Sequence, residues 1–346
     1  GSAPPSRPGR RRATAALEAG TPDGDRFASA LPRLRADVLA ETGVPIPPIR
    51  VRAGVSGLPV GGYRILLHDV PHGAGRAPDA SVLCFAPEDV VARLAPGAAR
   101  AETPWTRRAA FWVPRGSAET LGRAGLTALE PQDAILDHLR AVLARCASQF
   151  IGHQETQDLL DRLEKLSPAL VRAATPKPLP LDRIAGLLKL LAEEHVPIRD
   201  LRRILESAIA HAAERDPYAL LDRVRADLKR QVTAALLCGR ETLGVLLVAP
   251  EVEDVLRESI KDLGDGPRML LDPETAESLV RSAAGEAARL APDAGPPVVL
   301  TQPEIRRHLW RLLDLDIPDV RVVSYRELDP STRIEPVGRI SVGKLG

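Results

Sequence analysis

Prolines set the length of the regular segments in the middle of this chain. Helical periodicity recurs between residues 151 and 232, in Gln154–Leu166, Pro180–Glu194, Arg199–Ala213 and Pro217–Arg230. The prolines that interrupt this stretch include Pro168, Pro176, Pro178, Pro197 and Pro217. Because the residue before a proline avoids the helical region, each of them favours the beginning or the end of a helix. We therefore predict an all-helical subdomain of short helices at residues 151–232.

The pattern before residue 151 alternates between strands and helices. Strand-like apolar runs occur at Ile49–Arg52, Tyr63–His68, Val82–Phe85 and Ala109–Val113, and amphipathic helices at 26–43 and 131–150. This alternation predicts an α/β unit that carries an insertion. We place the first α/β subdomain at residues 26–79 and 131–150, and the inserted second subdomain at residues 80–130.

The two ends of the chain differ from its interior. Residues 233–328 have a β–α–α–β–α–β order, which predicts a C-terminal α/β subdomain, and the polar residues 329–346 are expected to form an extended tail. Residues 1–25 are expected to be a disordered linker and tag, because they are rich in Pro, Arg, Gly and Ala and begin with a scar-like Gly1-Ser2. The expected fold class is α/β plus α: two α/β units flank a helical unit, and the first carries an insertion.

The composition of the chain and the motifs that it lacks argue against several classes of function. Lys plus Arg number 47 and Asp plus Glu 46, so a net charge of +1 gives no electrostatic footprint for nucleic acid or an anionic membrane. No stretch approaches the ~20 apolar residues that span a bilayer. The three cysteines lack CxxC spacing, and His153-Gln154-Glu155 lacks the PCxxC partner of a zinc deaminase. We expect no catalytic residues, no cofactor and no metal.

One segment resembles a known family. Residues 192–206 read A-E-E-H-V-P-I-R-D-L-R-R-I-L-E, similar to the L-x-E-x-V-P-I-R-D-x-R-x-I-L-E of the FHIPEP family, the export gates of flagella and injectisomes. Further similarities follow in the same order: Tyr63–Leu66, Gly152–Glu155 with Leu159–Asp161, Pro297–Leu300, Arg306–Leu312, Val323–Leu328 and Pro336–Ile340. The resemblance covers residues 26 to 340.

The resemblance implies the cytosolic part of a bacterial inner-membrane protein in a type III secretion apparatus. Family members form a nonameric ring that receives chaperones with bound cargo, contacts other export-apparatus components and takes part in switching between substrate classes. The membrane would then be reached only through a missing N-terminal half. The Pro-Val-Gly-Arg-Ile ending at residues 336–340 favours an injectisome over a flagellum.

The family's docking site for chaperone–substrate complexes maps onto two places in this sequence. The loop segment is Thr103 followed by Pro104, Trp105 and Thr106, and the helix segment includes Asp137 and His138. The match departs from the family's Asp-Pro-x-aromatic pattern, because Thr103 replaces the Asp and the aromatic ring is displaced by one residue. Trp105 is a good anchor, since a large ring buries much area for little entropy. The alternative is that Trp105 only covers the local core.

The family's ring surface maps onto the helical subdomain, where Arg199, Asp200, Arg202 and Arg203 cluster beside Pro197. Arginine favours interface ion pairs because its planar fork binds a carboxylate bidentately. The alternative is that Asp200 caps the following helix and that the arginines pair within the chain.

Two competing hypotheses stay open at this point. One is a generic helical and α/β adaptor unrelated to secretion, which would form no ring and would not respond to secretion chaperones. The other is an enzyme whose site is scattered through the sequence, which would need turnover or a bound cofactor.

Overall fold

The computed structural model describes residues 15–20, 25–262, 264, 266–291, 294–317 and 319–342. The chain divides into two compact units, residues 1–150 and residues 151–346. The first combines two sheets with flanking helices, and the second joins a group of helices to a parallel sheet. The predicted fold class, α/β plus α, is confirmed.

The helices of the first unit are α1 (Asp25–Thr42), α2 (Glu88–Leu94), α3 (Ala118–Arg123) and α4 (Pro131–Arg145). Its strands are β1 (Ala15–Ala19), β2 (Ile49–Ala53), β3 (Gly62–Leu67), β4 (Val70–Arg76), β5 (Ser81–Phe85), β6 (Ala99–Arg100), β7 (Ala110–Pro114) and β8 (Ala128–Leu129). A 3-10 turn at Ala147–Phe150 follows α4.

The first sheet has the order β2-β1-β3-β4, with β1 parallel to β2 and antiparallel to β3. The prediction of a disordered linker is therefore wrong for residues 15–19, which form a buried central strand. Glu18 fixes this strand through ion pairs with Arg52 (3.1 Å) on β2 and Arg64 (2.9 Å) on β3. Residues 1–14 and 21–24 of the predicted linker lie outside the described residues.

The second sheet has the order β6-β7-β5-β8, and its strands pair antiparallel. All four lie within residues 81–129, inside the predicted insertion. Side chains alternate between its faces, as the two-residue period of a strand requires. One face packs on α2 and α3 through Cys84, Val91 and Leu121, and the other carries Leu83. Helix α4 contacts strands of both sheets and so joins them.

The helices of the second unit are α5 (His153–Glu164), α6 (Pro168–Ala174), α7 (Leu181–Glu193), α8 (Leu201–Ala210), α9 (Pro217–Asp227), α10 (Lys229–Leu237), α11 (Pro250–Ser259), α12 (Pro273–Arg289) and α13 (Pro303–Leu313). Its strands are β9 (Thr242–Val248), β10 (Ile260–Asp262), β11 (Pro267–Met269), β12 (Val298–Thr301), β13 (Arg321–Ser324) and β14 (Arg333–Ile340). A 3-10 turn spans Tyr325–Glu327.

Prolines lie at the boundaries of several helices in the helical part of this unit. Pro168 and Pro217 occupy the first turns of α6 and α9, where a missing N–H costs nothing. Between α7 and α8, His195 adopts a left-handed conformation (φ 58°) before the Pro197 turn. Helix α10 continues to Leu237, past the predicted end of the helical subdomain at residue 232.

The sheet of this unit has the order β13-β12-β9-β14, and every pair is parallel. The tail expected from residue 329 is not a free extension, because β14 pairs along its length with β9 and completes the sheet. The sequence hides this strand, since it is polar and contains Pro336, beside which the pairing register shifts. Residues 343–346 lie outside the described residues.

Two buried arginines join the helices to the sheet in this unit. Arg306 on α13 contacts Glu194, at the end of α7, at 2.5 Å and Glu327, beside β13, at 3.1 Å. Arg225 on α9 contacts the same two carboxylates at 2.8 and 2.5 Å. Asp222 on α9 adds a third carboxylate, 2.6 Å from Arg306. We call these five side chains the buried ion cluster.

The carboxylates of the buried ion cluster stabilise the positive charge of Arg306. Burial by itself lowers the pKa of Arg306, but the carboxylates of Glu194, Glu327 and Asp222 outweigh it and raise that pKa above its ordinary value. Burial also raises the pKa of Asp222, against the opposing effect of Arg306. Removing one partner would leave unpaired charge in a nonpolar surrounding, which is far more costly than losing an exposed pair.

We expect Arg306→Met to lower the free energy of unfolding by about 3 to 5 kcal/mol, because Glu194 and Glu327 would lose a buried counter-charge. Arg281→Met is the matched control, since Arg281 pairs with Glu277 on the exposed surface of α12 and should cost less than about 1 kcal/mol. Urea unfolding followed by circular dichroism measures both. Equal effects of the two substitutions would contradict the role of the cluster.

Candidate functional site

The structure brings the two predicted docking segments together at one aromatic stack. The indole of Trp105, in the loop after β6, lies on the imidazole of His138, on α4, with centroids 4.3 Å apart and planes 16° from parallel. Trp105 is half-buried, whereas His138 is only 2% exposed. The stack thus presents one partly accessible ring on a buried one.

Local sequence explains why α4 carries His138 inward. Pro131 begins the helix, and the residues that its apolar period turns inward are Ala134, Ile135, His138, Leu139, Val142 and Leu143. His138 is the polar member of that stripe and therefore needs a buried partner. The hydroxyl of Tyr63, on β3, lies 2.8 Å from its Nδ1.

Burial also sets the protonation states of this pair. It lowers the pKa of His138 to about 4, with a smaller contribution from the positive charge of Arg145. Burial raises the pKa of Tyr63 above its ordinary value. At neutral pH the imidazole is therefore uncharged and the phenol protonated, so the Tyr63 hydroxyl donates to Nδ1. The Tyr63 and His138 rings also meet edge to face at 5.7 Å.

Trp105 also packs against a small core. Its buried members are Leu83, Ala101, Ala110 and Ala134, and Phe85, Trp105, Trp112 and Leu129 surround them. The alternative that Trp105 covers the local core thus describes part of its surroundings. Pro104 is exposed and Thr106 half-buried. These positions leave part of the indole and its neighbouring loop residues accessible.

Asp137 lies beside His138 on the partly exposed side of α4. Burial raises the pKa of its carboxyl and Asp133 adds to the rise, whereas Arg140 opposes it. The sequence did not single out Tyr63 for the site or Gly73 at all, although a Cβ at Gly73 would lie 2.8 Å from Nε2 of His138. The one hint in the sequence for Gly73 is that glycines interrupt the polar segment His72–Arg76 of strand β4.

The predicted ring-surface residues lie around the start of α8. Asp200 caps this helix, because its Oδ1 accepts a hydrogen bond from the Arg203 backbone N–H at 3.2 Å. Its Oδ2 also accepts from Gln231 Nε2 at 3.3 Å. Arg199, Arg202 and Arg203 are exposed; Arg202 pairs with Glu206 on the same helix at 2.9 Å. The capping alternative is what the structure has for Asp200.

Among the residues that the structure describes, no group of three or more His, Cys, Asp or Glu side chains is arranged to hold a metal ion. Likewise, none of the described helices combines the length and the apolar character needed to cross a membrane.

Comparison with known proteins identifies the relatives of this chain. Residues 14–333 match the FHIPEP family. The chain is 31% identical over 312 residues to the hypersensitivity response secretion protein HrcV of Ralstonia nicotianae, covering 87% of this chain and 44% of HrcV. It is 28% identical to the flagellar biosynthesis protein FlhA of Bacillus subtilis, covering 89% and 45%. The chain thus spans less than half the length of these relatives.

Solved structures have the same architecture. The CdsV protein of Chlamydia pneumoniae superposes with a TM-score of 0.84 at 29% identity, covering 95% of this chain and 98% of CdsV. CdsV has also been solved in complex with CdsO. The nonameric SctV-C of EPEC superposes with a TM-score of 0.75 at 25% identity, covering 96% and 99%.

The buried His138 should make the stability of the first unit depend on pH. Its pKa falls from 6.5 to about 4 on folding, so the unfolded chain binds more protons between those values. The stabilisation is complete above pH 6.5 and is lost as the pH falls toward 4. Over this range the wild type should lose up to about 3 kcal/mol more than His138→Phe.

Denaturant unfolding at pH 7.5, 6.5 and 4.5 measures this difference. Above pH 6.5 the gap between the two proteins should stay constant, which serves as the internal control. Parallel losses of stability in wild type and variant down to pH 4.5 would show that His138 is not the group responsible.

Proposed function

The chain belongs to the FHIPEP family, and we propose that it is the cytosolic docking domain of a type III secretion export gate in the bacterial inner membrane. The observation that carries the proposal is the family match at residues 14–333, which extends over both units. Its membrane part would lie outside this chain, which covers 44% of HrcV. The proposed role is binding rather than catalysis.

The proposed system is an injectisome. HrcV is a secretion protein of the hypersensitivity response, and FlhA is a flagellar biosynthesis protein, so the relatives include both kinds of system. The sequence feature that favours the injectisome is the Pro336–Ile340 ending, which the structure places in β14. Binding experiments with chaperones from both systems separate the two.

The proposed docking surface for chaperone–cargo complexes comprises Pro104, Trp105, Thr106, Asp137 and His138. A partly accessible indole on a packed support suits an apolar anchor of the partner, because it offers a large area and loses little entropy on binding. The stack with His138 at 4.3 Å supplies that support. The uncharged imidazole adds no charge that an apolar partner would have to desolvate.

Trp105→Ala should weaken binding of cognate chaperone–cargo complexes at least tenfold, because the substitution removes the central anchor. Isothermal titration calorimetry against injectisome and flagellar chaperones, with and without cargo, measures the effect. Tyr325→Ala is the control, since Tyr325 is an aromatic residue of the second unit that is 51% exposed.

Tight binding that Trp105→Ala leaves unchanged would keep the export-gate proposal and move the docking site elsewhere. Binding to none of the chaperones would favour the adaptor hypothesis over the export gate.

We further propose that copies of this chain assemble into a nonameric ring through the helical segment 151–232. The nonamer of SctV-C supports this assembly, and the complex of CdsV with CdsO supports contacts with other components of the apparatus. A ring needs a head-to-tail interface between two different surfaces of one chain. The exposed Arg199, Arg202 and Arg203, with Asp200 at the helix start, form one such surface.

Arg203→Glu should reduce self-association without loss of fold. The substitution reverses a surface charge, yet the new carboxylate would stand three residues after the Asp200 cap, where an acidic side chain favours the helix. Sedimentation velocity at increasing protein concentration measures the effect. The variant should begin to associate only at a concentration about tenfold higher than the wild type does. Arg281→Glu, on the exposed side of α12, is the control.

A wild type that stays monomeric at the highest concentration would contradict self-association by the isolated chain. Equal association of the wild type and Arg203→Glu would exclude this arginine from the interface.

A further inference from the structure

We infer that Tyr63 is a positioning residue of the docking surface, acting on Trp105 through the ring of His138. The inference deepens the proposed docking function and rests on it. Three rings from three separate elements meet in series: the phenol of Tyr63 on β3, the imidazole of His138 on α4, and the indole of Trp105 in the loop after β6. The first two are buried, and the third is partly accessible.

The hydrogen bond from Tyr63 selects one orientation of the imidazole. A histidine ring that stacks through its face alone could flip by 180° about its Cβ–Cγ bond, exchanging nitrogen and carbon positions. The Tyr63 hydroxyl, 2.8 Å from Nδ1, favours the orientation in which that nitrogen accepts. The alternative orientation would leave a buried hydroxyl without this partner, at a cost. The orientation of His138 is thus tied to Tyr63.

Strand β4 is shaped to seat this pair of rings. Gly73 and Gly75 lie two residues apart, so both face the same side of the strand. A Cβ at Gly73 would come within 2.8 Å of His138 Nε2, and a Cβ at Gly75 within 2.6 Å of the Tyr63 hydroxyl oxygen. Each glycine therefore leaves the space that one of the two rings occupies. The two glycines in the segment His-Gly-Ala-Gly-Arg at 72–76 therefore leave the space in which the Tyr63–His138 pair packs.

Orientation passes from this pair to Trp105 through the close stack. Because the planes are 16° from parallel, a tilt of the imidazole must tilt the indole or open a gap between the rings. A fixed indole loses less rotamer freedom when a partner binds, so positioning raises affinity without adding a contact. Tyr63 lies at the buried end of this series and so acts on a partner through Trp105.

The test is a double-mutant cycle between Tyr63→Phe and Trp105→Ala, with a cognate chaperone–cargo complex as the probe. Tyr63→Phe deletes only the hydroxyl and should weaken binding about threefold to tenfold. In the Trp105→Ala background the same substitution should have no further effect, because its effect passes through that indole. Tyr325→Phe makes the same chemical change at an exposed site of the second unit and should leave affinity unchanged.

A second readout needs no partner. In protein labelled with 5-fluorotryptophan, Trp105→Phe identifies the Trp105 signal among those of Trp112 and Trp310. Tyr63→Phe should broaden or split that signal and leave the signal of Trp310 unchanged. Gly73→Ala, which crowds His138 while leaving Tyr63 intact, should produce the same change.

The outcomes separate the inference from the function on which it rests. If Trp105→Ala weakens binding but Tyr63→Phe does not, docking stands and the positioning role is overturned. If Trp105→Ala has no effect on binding, the proposed docking site fails, and the fluorine signal alone decides whether Tyr63 orders the indole. An additive effect in the cycle, with an unchanged fluorine signal, overturns the inference.

Discussion

The buried ion cluster is the constraint around which the second unit is built. Two guanidinium groups removed from water require carboxylates at close range, and these come from both halves of the unit: Glu194 from the helices and Glu327 from the edge of the parallel sheet. The helices and the sheet must therefore pack in one arrangement. Glu194 belongs to the segment that most resembles the FHIPEP family, so one role of that segment is to hold the fold of this unit together. Asp200, in the same segment, likewise serves the backbone by capping α8.

The sequence predicted those elements whose side chains repeat with the period of their own backbone. Helix α4 was predicted because burial of one face gives its apolar residues a period of 3.6 residues. Strand β9 was predicted because its side chains form a nearly continuous apolar run. Strand β1 was not predicted because its alanine-rich sequence has no strand pattern. Pairing with β2 and β3 and the ion pairs of Glu18 hold it in place, and these contacts join residues far apart in the sequence. Strand β14 was not predicted because most of its side chains are exposed and show no apolar pattern. Backbone pairing with β9 holds it in the sheet instead.

The same distinction explains how much of the proposed docking surface could be predicted from the sequence. Resemblance to the family placed Trp105 and His138 on it, and the structure stacks their rings. Tyr63 could not be found in this way, because it lies 75 residues before His138 and reaches it only once β3 pairs with β4 and α4 packs on both. Gly73 is even less visible, since its role is the absence of a side chain. Spacing in the sequence carries no record of such contacts.

The two proposed surfaces differ in the physics that would make them work. Trp105 packs on a hydrogen-bonded support, so the contribution to binding that we propose for it would be local and would not rest on ion pairs. The arginines at the start of α8 are exposed, and Arg202 and Arg203 already pair within the chain. Exposed ion pairs are each worth less than about 1 kcal/mol. A ring held by such contacts would dissociate readily as separate copies. It would gain stability when a membrane part concentrates the subunits, because each copy then engages two neighbours at once. Reversible docking on a ring of this kind would combine weak single contacts with high avidity for a partner that reaches several copies.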